Sequence, residues 1–166
     1  NQPSKSIVRI GKNYNTKLFY IPSFLTNSRF IGDIDHNGMY YIKGPGPTIY
    51  KIDLDPSSTT YSKLVGTLSL SQSAVIHDWG FNPQDNFLYA VSKNSNILHR
   101  INPNNGNVTT LGEVPILSGN NYGYGAAYFD NYGNFYIASN QTGTIYIIYQ
   151  VHNINSGDTI TSNLFA

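Results

Sequence analysis

Apolar and aromatic positions along the chain fall in strand-length runs, such as Ile145-Tyr146-Ile147-Ile148-Tyr149, separated by clusters of Asn, Asp, Gly, Pro and Ser. Three segments carry the same order of runs and turns: Ile31–Gln72, His77–Gly119 and Tyr124–Ala166. Each opens on a short strand ending in a polar turn (Asp35–Gly38, Asn82–Asn86 and Asp130–Asn134) and continues with an aromatic strand (Met39–Ile42, Phe87–Val91 and Phe135–Ala138). Tyr41, Tyr89 and Tyr136 fall in register, 48 and 47 residues apart, and Ile49, Ile97 and Ile145 recur every 48. The latter group opens a third strand. After a second turn the pattern predicts a fourth strand over Tyr61–Leu68, Val108–Val114 and Thr159–Phe165.

Four antiparallel strands per unit, repeating every 47–48 residues, is the pattern of a β-propeller blade. One small twisted sheet cannot bury both its faces, and radial stacking supplies the missing burial. Ser6–Ile10 and Lys17–Phe24 match the third and fourth strands of the same template. The expectation is therefore one all-β domain over residues 1–166 with about three and a half blades: a half blade at 6–29, then blades at 30–76, 77–123 and 124–166. Such a set leaves an end face and strand edges bare. Either a missing segment or another chain is expected to complete the propeller. The start lacks an initiator Met and an apolar signal core, and reads as a trimmed terminus or as a piece of something longer.

Composition sharpens this picture. Fourteen Tyr, eight Phe and fifteen Gly stand beside a single Glu, Glu113, which is strand-and-turn chemistry. The absence of Cys removes disulfides and thiolate sites. A net charge of +1 without basic clusters argues against nucleic acid as a partner. No apolar run approaches the roughly 18 residues of a membrane-spanning helix.

The blade signature is readable residue by residue: Asn37-Gly38-Met39-Tyr40-Tyr41-Ile42, then Ile49-Tyr50-Lys51-Ile52-Asp53-Leu54, and in the second unit Phe87–Val91 with Leu98–Gly106. These motifs resemble those of an uncharacterised propeller repeat family of secreted and surface proteins. The resemblance implies the fold and an extracellular or cell-surface setting, and it implies no activity.

Candidate chemistry is sparse. Asp33-x-Asp35-x-Asn37-Gly38 has the alternate oxygens of a calcium loop, but the twelfth position, where an acid is required, is Gly44. Asx turns and a positive-φ glycine explain the same residues, so no cofactor is expected, with calcium at Asp33, Asp35 and Asn37 as the alternative. His77-Asp78-Trp79 opens an innermost strand, where side chains approach the central channel. His77 and Asp78 point to opposite faces and do not form a dyad with each other. The loop carrying Asn120, Asn121, Tyr122 and Tyr124 shares one face with the loops carrying Asn94, Asn96 and Asn140. Tyr rings beside amides suit a carbohydrate or protein ligand, and the competing reading packs the same Tyr between blades.

No nucleophile elbow, zinc spacing or phosphate cradle is present in the sequence. The expected function is a non-catalytic binding or structural module, secreted or displayed at a surface. The alternatives are a calcium-assisted hydrolase or lactonase using Asp33, Asp78 and His77, and an assembly component that forms an oligomer through an open blade edge.

Overall fold

The computed structural model describes residues 6–10, 13–20, 31–72, 76–93, 95–119 and 123–166, with side chains outside 6–10 and 17–20. Strands β1 (Ser6–Ile10) and β2 (Thr16–Tyr20) form a two-stranded antiparallel sheet. Three four-stranded antiparallel sheets follow, each ordered as the chain runs. Sheet 1 holds β3 (Gly32–Ile34), β4 (Met39–Lys43), β5 (Thr48–Asp53) and β6 (Leu64–Ser69). Sheet 2 holds β7 (Gly80–Asn82), β8 (Phe87–Val91), β9 (Ile97–Ile101) and β10 (Val108–Glu113). Sheet 3 holds β11 (Tyr124–Phe129), β12 (Phe135–Ser139), β13 (Ile145–Ile148) and β14 (Ser162–Leu164). The four-stranded antiparallel blades expected from the repeat are what the chain forms. The predicted residues Ile21–Phe24 lie outside the described residues.

The turn between the first two strands of each sheet is built the same way. A left-handed residue sits in each: Gly38 (φ 83), Asn86 (φ 62) and Gly133 (φ 79). An aspartate in each turn, Asp35, Asp85 or Asp130, accepts backbone N–H groups of the turn. The other oxygen of each accepts the hydroxyl of the register tyrosine: Tyr41 at 3.1 Å, Tyr89 at 2.5 Å and Tyr136 at 3.2 Å. A recurring Asp–Tyr clasp thus locks turn to strand. The fourth strand of sheet 1 starts three residues later than the pattern predicts. Thr60 donates its hydroxyl to Asp53 and Ser62 turns left-handed (φ 61), which holds this stretch in a turn.

The core lies in the seams between sheets. Between sheets 1 and 2, Tyr41, Ile49, Trp79, Phe81, Leu88 and Ile101 pack together. Between sheets 2 and 3, Tyr89, Leu98, Leu111, Phe135, Ile137 and Ile148 do the same. Alternation on each strand explains this, because Leu88 and Ala90 face sheet 1 while Tyr89 and Val91 face sheet 3. Burying both faces of sheet 2 removes several aromatic and aliphatic side chains from water at roughly 1.5–3 kcal/mol each. The first strands adjoin one another, β3 beside β7 and β7 beside β11, and so line the inner edge of the array.

Candidate functional site at the loop end of the sheets

Two carboxylates stand on the inner strands. Asp33 accepts the N–H of Ile34 at 2.8 Å and, across the first seam, that of Phe81 at 2.7 Å. Asp78 accepts the N–H of Trp79 at 2.9 Å and, across the second seam, that of Ala127 at 2.9 Å. The nearby backbone N–H of Gly32, on the first inner strand, also acts to lower the Asp78 pKa. Burial pushes the Asp78 carboxyl up to about 6, and the nearby charge of Asp33 adds to the rise. Burial also raises the Asp33 carboxyl, against the backbone N–H groups that lower it. Tyr40 belongs to the same neighbourhood: burial raises its hydroxyl pKa, and the charges of Asp33 and Asp78 raise it further. Each of the four carboxylate oxygens already accepts a backbone N–H. Chemically these groups are struts between sheets.

Just beyond Asp78, the half-buried His77 ring approaches the chain entering β11. A Cβ added at Gly123 would stand 3.0 Å from His77 Nδ1 and 3.0 Å from the side-chain nitrogen of Asn140. At Gly125 it would collide with the Asn140 amide oxygen. Glycine at both positions lets the backbone run directly beneath these two side chains. The backbone N–H of Asn140 donates to Gly123 O at 2.9 Å, which fixes the β12–β13 loop against this strand. The structure therefore gathers His77 and the exposed Asn140 around one glycine, with Asp78 adjacent in the chain.

Other expected ligand contacts are placed elsewhere. Trp79 is fully buried in the first seam, where its ring N–H donates to Tyr41 O at 3.2 Å. Tyr124 and Asn96 are buried and bonded to each other, the tyrosine hydroxyl donating to Asn96 Oδ1 at 3.0 Å. The Asn96 amide nitrogen in turn donates to Leu117 O, pinning the linker between sheets 2 and 3. These three residues are corrected from ligand contacts to seam packing, because their rings and amides are consumed inside. Asn94, Asn120, Asn121 and Tyr122 lie outside the described residues.

At the opposite end of the sheets, Asp35 spends its oxygens on the N–H groups of Asn37 and Met39 and on Tyr41. Asn37 is exposed in that turn, while Asp33 is committed across the seam. Among the described residues no three or more His, Asp or Glu side chains converge as metal ligands would. Sequence reasoning does not single out Tyr40 or the Asp–Tyr clasp. The signal for the clasp is present as an aspartate six, four and six residues ahead of Tyr41, Tyr89 and Tyr136.

Comparison with known proteins follows the repeat. A family defined by its sequence repeat matches residues 1–164. The chain belongs to DUF6923, a repeat of unknown function. No curated protein matches this DUF6923 chain. Among solved structures it is similar to virginiamycin B lyase from Staphylococcus aureus, at 17% identity and a TM-score of 0.56, over 95% of this chain and 48% of that one. It is also similar to Hsv2 from Kluyveromyces lactis, at 11% identity and a TM-score of 0.49, over 95% of this chain and 48% of that one. AztD from Citrobacter koseri gives 11% identity and 0.46, over 97% and 45%. The DUF6923 chain spans about half the length of these structures. The likeness to the lyase shows the β-propeller fold. No helix among the described residues is long and apolar enough to cross a membrane.

Proposed function

We propose that this DUF6923 chain is a secreted or surface-displayed propeller module that binds a carbohydrate or protein ligand at its loop end, without catalysis. The observation that carries the reading is the pairing of the His77 ring and the Asn140 amide around Gly123. An imidazole and an amide offer donors and acceptors to hydroxyls or peptide groups. The bonds of Asp33 and Asp78 to backbone N–H groups of the next sheet support a structural role for these carboxylates, and with it binding over hydrolysis. The extracellular setting rests on the low charge and on the family resemblance.

The test is a glycan array and a peptide panel probed with the purified chain and with Asn140→Ala and His77→Ala. A ligand whose affinity falls about tenfold or more in either variant, with melting temperatures unchanged, is the expected result. Turnover of a substrate with a defined pH optimum, or a ligand indifferent to both substitutions, would overturn the proposal.

A further inference from the structure

The main chain around the loop-end site is closed to an extended peptide. A peptide that adds as a strand needs a free row of backbone groups along a sheet edge. The inner strands β7 and β11 have such edges, and a carboxylate stops each one. Asp33 accepts the N–H of Phe81 on β7 at 2.7 Å, and Asp78 accepts that of Ala127 on β11 at 2.9 Å. Nearer the site, Gly123 O accepts the N–H of Asn140 at 2.9 Å. Between them Tyr124 pairs with Ser139 and Ala126 with Ala138, which leaves Gly125 as a bulge. That bulge breaks the register a second strand would follow.

An apolar anchor for a protein partner is missing as well. Protein interfaces are held by a few buried aromatic, aliphatic or arginine side chains. Among the described residues, none of the exposed large apolar side chains belongs to 118–125 or 139–144, and Tyr124 is buried.

Fixed charge is missing too. The two segments that meet at Gly123, residues 118–125 and 139–144, consist of Asn, Gln, Ser, Thr, Gly and Tyr alone. Lys43, at the corresponding end of sheet 1, donates its ammonium to Gly44 O at 3.0 Å and to Gly46 O. Lys93 and Glu113, of opposite sign, lie on the β8–β9 loop and at the end of β10. What the site offers is uncharged hydrogen bonding. Asn140, Gln141 and Thr142 are exposed, and Ser139 Oγ accepts the N–H groups of Gln141 and Thr142 at 3.3 Å each, which holds their loop in place.

Resting on the loop-end reading above, we infer that the ligand of this site is a neutral carbohydrate whose hydroxyls bond the amide of Asn140 and the ring of His77. A hydroxyl both donates and accepts, as an amide does with its two ends, so the pairing is complete without a charge.

Three probe sets separate the classes: neutral oligosaccharides, oligosaccharides bearing uronate or sulfate groups, and a library of extended peptides, each screened against the purified chain. A neutral oligosaccharide should bind, and its affinity should change less than about twofold as salt is raised to about 0.5 M, since no charge pair is there to be screened. Asn140→Asp keeps the size of the side chain, removes its donor, and should weaken that oligosaccharide about tenfold. His77→Gln keeps an uncharged donor and acceptor and should stay within about threefold of wild type. Melting temperatures check that both variants are folded, and the salt series needs neither. A hit confined to the uronate, sulfate or peptide probes, and sensitive to these positions, overturns the inference while leaving the loop-end site in place. So does a neutral hit that weakens steeply with salt, or a ligand that binds Asn140→Asp more tightly. A hit indifferent to His77→Ala and Asn140→Ala, or no binding by any probe, overturns the site and the inference together.

Discussion

Asp78 accepts the backbone N–H of Ala127 at 2.9 Å, so a carboxylate at the entrance of sheet 2 holds the first strand of sheet 3. Asp33 does the same for Phe81 one seam earlier, at 2.7 Å. Side chains 48 and 49 residues before their partners thus set the spacing of the inner strands. Hydrophobic packing joins the sheets, and these bonds fix where along the seam they meet.

The first prediction concerns pH. The Asp78 carboxyl titrates near 6 when folded, against its ordinary value of 3.8, so folding favours its protonated form. Its contribution is fully present below about 3.8 and is lost as pH rises through about 6. Asp33 shifts the same way, whereas burial lowers the His99 pKa and opposes it over part of this window. The informative quantity is therefore the melting temperature of wild type minus that of Asp78→Asn. It should rise by a few degrees between pH 7.5 and 4.5, since about 1 kcal/mol moves a domain of this size by roughly 2–4 °C. A difference constant with pH would contradict the assignment.

The three Asp–Tyr clasps should rank by burial. Tyr89 is fully buried and Tyr41 nearly so, while Tyr136 is half-buried. Tyr89→Phe and Tyr41→Phe each remove a hydroxyl bonded to a carboxylate and should cost about 1.5–3 kcal/mol in urea unfolding. Tyr136→Phe should cost less than about 1 kcal/mol. Equal losses at all three would mean that the hydroxyl bonds, and not their burial, set the energy.

Trp79 is the chain's single tryptophan, and its ring fills the first seam. Trp79→Ala should destabilise by about 3–5 kcal/mol. Trp79→Phe keeps most of the packing but leaves Tyr41 O without its ring N–H donor, and should cost less. Wild-type tryptophan emission should shift to the red in the same transition that circular dichroism reports. An earlier red shift would show the first seam opening before the sheets unfold.

Much of the fold was legible because a strand repeats every two residues and the turns punctuate it. The register of Tyr41, Tyr89 and Tyr136 survives in three dimensions as the three clasps. The site was less legible. Tyr124 and Asn96 look like loop residues, and only their pairing across 28 residues reveals that both are interior. Asp35 presents the same alternate oxygens to a cation or to an Asx turn, and the local N–H groups of Asn37 and Met39 decide between them. His77 and Asn140 stand out in the sequence for different reasons, and their meeting at Gly123 depends on how sheets 2 and 3 stack.

Amide chemical-shift mapping during titration with the best ligand from the array and panel tests the binding proposal most directly. The account predicts perturbations concentrated at His77, Gly123, Tyr124, Gly125 and Asn140. Shifts concentrated at the opposite turns around Asp35, Asp85 and Asp130, or spread over the outer strands β6, β10 and β14, would contradict it.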